Sequence, residues 1–598
     1  KASLVINPSS FSENAVYADL PANSTLGDLT FTRATDAWRT NSSGLVQRVA
    51  WNLLYSSEQF VGTWSTGGAT ITANVTTAPN GTLTADTFFI TSAAASYIYR
   101  NAAISVPTFT ASLYVKYVDR QFIQVLYGSG LTQYANFDLI NGTVTGGSYT
   151  GATISNASNG WFRISLTTTG TTPGSVDTYI WAIDAGNSLR AAANNGSGSY
   201  YIWGAQLTEG SSALEYFPTT DRQDVPRIDY SLGGCPTLLM EPQRTNLLTY
   251  SEELSNAIWQ NIGLTITNNT IAAPSGIVNA DTLVATTANT QHSINQNIVV
   301  TTGSTLTLSC YVKNNGGNFV QLIIGAIGFT IVDPYQNFNL QTGTLANGNI
   351  PTSTITNVGN SWYRITSTVT TAEAGTASFF VSPILSGTTG RVNSFVGDGI
   401  NGIYAWGVQL EVSAYSTSYI PTTSASVTRN QDLASKAGIS SLLGQTEGTI
   451  LTKINVVNTV TGVQGIINIT NDNLSSILYT NYLYDGRVGF DFYVGGVYTH
   501  GLLSPAALPK GVNSYAIVYK AGDYKLFING VLAVTNSNST PITNTISRIG
   551  MGTDQAPMNY NSIVAFKTAL SDGELELLTG NYFDSYAKMA AFYNYTLQ

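Results

Sequence analysis

From Phe109 to Tyr117 every second position is apolar: Phe109, Ala111, Leu113, Val115 and Tyr117 alternate with Thr110, Ser112, Tyr114 and Lys116. A period of two belongs to a half-buried β-strand, whose successive side chains point to opposite faces. Further along, GTILTKINV, GIINI, RVGFDFYV, NSYAIVYK and YKLFINGVLAVT read as successive strands, and Asn529-Gly530 is a hairpin signal. Helical spacing is confined to the end of the chain. There, Ser571-Asp572-Gly573-Glu574 forms a capping box, and Tyr582, Tyr586, Met589 and Tyr593 follow at helical intervals as an expected docking face.

The strand words recur in order. NLLYSSEQFVGTW at 52–64 returns as NLLTYSEELSNAIW at 246–259, TASLYVKY at 110–117 as TLSCYVKN at 307–314, and NGWFRIS at 159–165 as NSWYRIT at 360–366. YIWGAQLTEG at 201–210 pairs with YAWGVQLEVS at 404–413, and YFPTT at 216–220 with YIPTT at 419–423. One fold is used twice, and short alternating strands between Gly, Asn and Ser turns describe an antiparallel sandwich of jelly-roll type. The repeat sets Cys310 opposite Leu113, an inward position, so its thiol is expected in the core. Repetition likewise makes Trp161/Trp362 and Trp203/Trp406 packing residues. His292 falls opposite Tyr97 in the same comparison, which argues against a repeated catalytic histidine.

Composition narrows the function. The chain has 598 residues, 43% hydrophobic and 11% aromatic with 34 Tyr, but only 10% charged. That is ample apolar material for several cores, with a surface of Ser, Thr, Asn and Gly. A net charge of -9 without a basic stripe excludes an electrostatic nucleic-acid binder. No apolar run reaches the roughly 20 residues of a membrane-spanning helix, and no secretory leader is apparent at KASLVINPSSF, so a soluble protein is expected. Two cysteines, Cys235 and Cys310, make no disulfide scaffold.

Catalytic signatures are absent from the sequence. There are two histidines, His292 and His500, no nucleophile elbow and no zinc-ligand spacing. Asp485 and Asp491 bracket YDGRVGFD as turn and surface carboxylates rather than as a glycosidase pair. No cofactor is required. Sugar binding by sandwiches rests on aromatic faces with amides and carboxylates around them. The residues of that character are Tyr97 and Tyr99 in the first copy and Tyr482, Tyr484, Tyr493 and Tyr498 near the C-terminal end.

With these words in place, NLL..SE..W, the W[FY]R strand and the closing WG.QL strand resemble the carbohydrate-binding-module-like jelly rolls of tailed-phage virion proteins. SYAIVYKAGDYKLFINGVLAV, ISRIGMG and IVAFKTALSDGE resemble a concanavalin A-like lectin or laminin-G domain. LTFTRATDAWRTNSSGLVQRVA at 29–50 and VPRIDYSLGGCPTLLMEPQRTNLL at 225–248 resemble two halves of a motif of phage appendage proteins, including those of crAss-like phages. The resemblance implies a virion-surface location, as head fibre, tail fibre or capsid decoration, with other virion proteins as partners and a homotrimeric assembly. It also implies a structural calcium near the N-terminal strand of each jelly roll, with Glu58 in the first copy and Glu252 or Glu253 in the second in the acidic position.

The expected architecture is therefore all-β: tandem jelly-roll or β-sandwich domains with a short C-terminal helical segment. Residues 1–51 form an attachment segment, 52–222 the first jelly roll, 223–245 a connector, 246–430 the second jelly roll, 440–580 the lectin-like sandwich and 581–598 an aromatic tail. The first jelly roll reads as an insertion that separates 29–50 from 225–245, so these segments should meet in space, with Glu241 and Arg244 as an interdomain ion pair. The expected function is non-enzymatic glycan binding at the virion surface. A purely structural role and a polysaccharide depolymerase are the alternatives.

Overall fold

The computed structural model describes residues 1–580 apart from 8–15, 17, 22–25, 34, 50–51, 105–106, 172–173, 215, 217, 220–224, 234–235, 393, 457–463, 472–476, 483–485, 495–496, 544 and 553–556. Cys235, Tyr484, Asp485 and the stripe from Tyr582 to Tyr593 lie outside the described residues. Side chains in Ile477–Tyr482, including Tyr482, are likewise not described. The protein is all-β, and antiparallel strands account for every sheet. Two compact bodies result: residues 50–225, and residues 1–49 joined with the chain from 226 onward.

Residues 50–225 fold as a two-sheet sandwich. One sheet runs in the order Gly151–Asn156, Trp161–Thr168, Phe109–Tyr117, Ser199–Glu209, Ala85–Ile90, Ala69–Thr76. The other runs Thr143–Ser148, Tyr134–Asp138, Phe122–Tyr127, Gly174–Ala182, Tyr97–Ile104, Ser65–Gly67. The period of two decides what lies between them: Phe109, Ala111, Leu113 and Val115 face Ile98, Ile123, Val125 and Ile180 in one core. The chain repeats this plan from 246, where Cys310, Leu308 and Val312 take the inward places. Cys310 is a buried free thiol opposite Ile365, as Leu113 is opposite Ile164.

The third sandwich is built from distant pieces of chain. Leu4–Ile6 pairs with Met558–Phe566, which continues through Glu447–Val456, Gly511–Lys520, Tyr524–Ile528 and Val531–Asn536. Thr30–Thr32 pairs with Leu433–Lys436 at the border of a second, seven-stranded sheet. Leu4–Ile6, Ala18–Leu20 and Thr30–Thr32 are thus strands that the N-terminal segment donates to this sandwich. Asn529 and Gly530, with φ of 49° and 84°, form the two-residue turn between Ile528 and Val531. Helix Asp572–Gly580 begins at Ser571, whose backbone N–H and hydroxyl both donate to Glu574, and buries Leu575 and Leu578 against Phe527 and Val564.

The segments on either side of the inserted sandwich meet. Arg39 donates to the Ile228 carbonyl at 2.6 Å, the Thr40 N–H to Asp229 at 2.8 Å, and the Tyr230 N–H to the Thr40 carbonyl at 3.0 Å. Beside them lies a buried charge cluster. Arg227 bonds both Glu241 and Asp432, Arg429 bonds Glu241 at 2.8 Å, and Arg33 bonds Asp432 at 2.9 Å. Glu241 also accepts from the Ser418 N–H and hydroxyl at 2.8 and 2.6 Å. The expected Glu241–Arg244 pair does not form. Arg244 lies over the Tyr415 ring, 5.4 Å from its centroid, and bonds its hydroxyl, because the strand Arg244–Asn246 directs it away from the cluster.

Candidate functional site: an aromatic ladder on the first sandwich

On the sheet containing Tyr97–Ile104 and Gly174–Ala182, Ile98 and Ile180 point inward while Tyr97, Tyr99, Tyr179 and Trp181 share the outer face. The strand register sets Tyr97 beside Trp181 and Tyr99 beside Tyr179. Both pairs stack, with centroids 4.6 Å apart and interplanar angles of 17° and 19°. Tyr97 also meets Tyr179 edge-on at 5.4 Å. Such pairs contribute about 0.5–1.5 kcal/mol each beyond area burial. Contact on both sides holds the rings in single rotamers, so the patch is preformed. Tyr97, Tyr99 and Tyr179 remain half-buried, and Trp181 is fixed by its indole N–H donating to the Ala192 carbonyl at 2.8 Å.

Polar groups border the ladder. Along the next outward row, Asn101 donates to Asp177 at 2.8 Å, Ser175 donates to Asn101 at 2.8 Å, and Ser129 donates to Asp177 at 3.1 Å. Arg190 bonds the Tyr127 carbonyl nearby. Burial first, then Asp177 and the neighbouring Tyr99 and Tyr97, raises the Tyr179 phenol above its ordinary pKa, so it stays a neutral donor. The far side is closed by residues 184–192. Gln124 donates to Asn136 at 2.7 Å and accepts from the Ala191 N–H at 2.7 Å, while Asn136 donates to the Gly186 and Ser188 carbonyls at 3.0 and 2.7 Å. The result is a rigid apolar ridge between a buried amide clamp and an exposed strip of amide, carboxylate and hydroxyl.

Sequence reasoning named Tyr97 and Tyr99 but not Tyr179, Trp181, Asn101 or Asp177. Tyr179 and Trp181 carried the same signal, two aromatics at alternate positions of a strand whose other face is Val176, Thr178 and Ile180. The register also moves one counterpart: Gly67 faces Tyr97 where Ile262 faces Ser293, so Tyr97 corresponds to Ser293 and His292 to Ser96. His292 is buried, with its ring nitrogens 2.5 and 2.9 Å from the Gly263 and Phe395 carbonyls. His500 stacks on Phe492 at 4.4 Å, and burial lowers its pKa.

The remaining candidates are apart from this face. Tyr493 and Tyr498 meet edge-on at 5.7 Å on the third sandwich, beside Asp491, whose carboxyl pKa is raised by burial. Trp161, Trp203, Trp362 and Trp406 are buried, as packing residues should be. Glu58 accepts from the Tyr216 hydroxyl at 3.1 Å; Glu252 accepts from Tyr419 at 3.0 Å and from the Asn279 amide at 2.8 Å. Burial raises both carboxyl pKa values. Their neighbours are donors, and among the described residues no three His, Cys, Asp or Glu side chains cluster for a metal.

No protein-family model and no curated protein matches this sequence. Among solved structures, the sialidase CBM40 module of Ruminococcus gnavus is similar at 21% identity over 24% of this chain and 86% of that one, with a TM-score of 0.21. The receptor-binding domain of botulinum neurotoxin mosaic serotype C/D is 16% identical over 25% of this chain and 39% of that one, with a TM-score of 0.22. The NanB sialidase of Streptococcus pneumoniae is 18% identical over 25% and 27%, with a TM-score of 0.22.

Proposed function

We propose that this chain is a non-enzymatic glycan-binding protein of a phage virion surface, and that the outer face of its first sandwich is the glycan platform. The observation that carries the binding reading is the Tyr99–Tyr179 stack bordered by Asn101, Asp177 and Ser129. An apolar ring surface packs against the C–H face of a pyranose, while the bordering groups exchange hydrogen bonds with its hydroxyls. Asp177, held by Asn101 and Ser129, is placed as a fixed acceptor for sugar hydroxyls. The virion location, the virion partners and a trimeric assembly rest on the sequence resemblance. In such an assembly weak sites gain avidity from effective concentration without any new contact.

The test is a glycan array on the purified chain and its Tyr179→Ala variant, followed by calorimetric titration of the best hit. Binding should weaken at least fivefold in the variant while the thermal transition of the first sandwich stays in place. A silent array with the native protein intact would leave the purely structural role as the better reading. Release of shorter saccharides from the bound glycan would instead establish a depolymerase.

A further inference from the structure

The aromatic face of the first sandwich extends beyond its two stacked pairs. Across the sheet Tyr99 stands beside Tyr179, Tyr179 beside Leu126, and Leu126 beside Tyr134, so the four positions form one file at right angles to the strands. All four lie on the outer side: Ala135 and Phe137 fill the core, while Tyr134, half-buried, packs against the outer cluster of Leu126, Trp181 and Ile183. Neighbouring strands are roughly 4.8 Å apart, so the file from Tyr99 to Tyr134 is roughly 14 Å long, more than one sugar ring can cover. Beside the buried Leu126, the half-buried Arg190 comes from the loop 184–192 to the Tyr127 carbonyl and places a cationic donor along the file. The polar strip keeps pace, because Ser129 belongs to the hairpin that joins Phe122–Tyr127 to Tyr134–Asp138 and donates to Asp177. Past each end of the file the sheet continues as a largely exposed strand, Ser65–Gly67 on one side and Thr143–Ser148 on the other.

The second sandwich singles out Tyr134. Its counterpart there is Tyr335, since Ala135 faces Gly147 as Gln336 faces Gly348. The Tyr335 hydroxyl is occupied, accepting from the Asn347 amide at 2.8 Å. In the first sandwich Gly146 stands at the Asn347 position, and among the described residues no protein group bonds the Tyr134 hydroxyl. Where the ladder is missing the hydroxyl is tied back; where the ladder is present it is left for a ligand.

We infer that this file binds an internal stretch of an extended, neutral, β-1,4-linked polysaccharide, about three units at a time, laid across the strands from Tyr99 to Tyr134. This rests on the reading of the outer face as a glycan platform. A β-1,4 chain runs straight and turns apolar C–H surface to one side, which suits a single straight file of rings, whereas an α-1,4 chain of the same units coils away from it. Asp177 and Arg190 set one charge of each sign beside the file, so a charged polymer gains at one and loses at the other. The open strands at both ends let the chain run on past the site.

The experiment titrates the full chain calorimetrically with cellobiose, cellohexaose and maltohexaose. Cellohexaose should bind at least tenfold more tightly than either of the others. Tyr134→Ala should weaken cellohexaose at least fivefold and cellobiose less than twofold, with the thermal transition of the first sandwich in place. Tyr134→Phe, which keeps the ring in its packing, should weaken cellohexaose two- to threefold through the lost hydroxyl. The inference is overturned if cellohexaose does not bind at millimolar concentration, if cellobiose or maltohexaose binds as tightly, or if Tyr134→Ala leaves cellohexaose unchanged or weakens both lengths alike. Should that happen while Tyr179→Ala still abolishes binding of another glycan, the platform stands and only its ligand class falls; a silent glycan array removes the platform itself.

Discussion

The two jelly rolls share a scaffold down to single hydrogen bonds yet present different outer faces. The clamp is common to both: Gln321 donates to Asn337 at 2.6 Å and Asn337 to the Gly387 and Thr389 carbonyls, as Gln124 and Asn136 do in the first copy. Arg391 reaches the Ile324 carbonyl as Arg190 reaches that of Tyr127. The ladder, however, is gone. In place of Tyr97, Tyr99, Tyr179 and Trp181 the second copy has Ser293, Asn295, Phe380 and Ser382, and Asp177 becomes Ser378. Attachment differs as well. The second copy is fastened to its neighbours through the Arg33–Arg227–Arg429–Glu241–Asp432 cluster, whereas residues 50–225 form a body of their own. Duplication has kept what holds the sheet and loop together and released the exposed face to change.

The largest expected effect breaks the second difference. Arg227→Met leaves Glu241 and Asp432 with one fewer buried cation, and loss of one partner of a buried ion pair costs about 3–5 kcal/mol. Calorimetry should show the transition of the larger body falling sharply and that of residues 50–225 unmoved; a common shift would show that the two bodies melt as one.

Acid should separate the copies in the same direction. Arg429 and Arg227 outweigh burial and depress the Glu241 carboxyl from 4.5 to about 2. A depressed carboxylate contributes stability above its unfolded pKa and loses it as the pH falls through the folded value, here between about pH 4.5 and 2. The loss is on the order of 3 kcal/mol for the larger body. Glu58 and Asp86 in the first copy and Glu252 and Asp281 in the second are alike shifted upward by burial, so Glu241 is what sets the larger body apart. A pH series of thermal scans checks this.

The face itself is the next target. Converting Tyr97→Ser and Tyr99→Asn gives the first copy the residues of the second, and glycan affinity should fall roughly tenfold, about 1.4 kcal/mol. The smallest effect is a control: Phe380→Ala in the second copy should change the same affinity less than twofold.

Much of this was legible in the sequence for a physical reason: an inward side of a strand tolerates little, so the repeat and the period of two place Leu113, Cys310 and the four tryptophans correctly. Tyr97 and Tyr99 were visible as outward aromatics. Their partners were not, because the stacking of Tyr99 on Tyr179 depends on which strands become neighbours, and strands 80 residues apart in the chain do not announce their register. The Glu241–Arg244 expectation failed similarly. Proximity in sequence favoured Arg244, but the true partners of Glu241, Arg227 and Arg429, converge only through the fold.

The strand Leu4–Ile6 has a consequence for synthesis. Its three residues are fully buried, and it pairs with the nearby Ala18–Leu20 on one edge and with the distant Ile563–Ala565 on the other. A ribosome that has made Leu4–Ile6 must add more than five hundred residues before that partner emerges, and the 50–225 body has its complete sequence long before then. Contacts of such separation are slow to form, and the strand edge that Ala18–Leu20 leaves uncovered is open to other strands while it waits. The order of maturation is thus written into the pairing: the inserted sandwich closes first, and the larger body completes its sheet on Leu4–Ile6 afterwards.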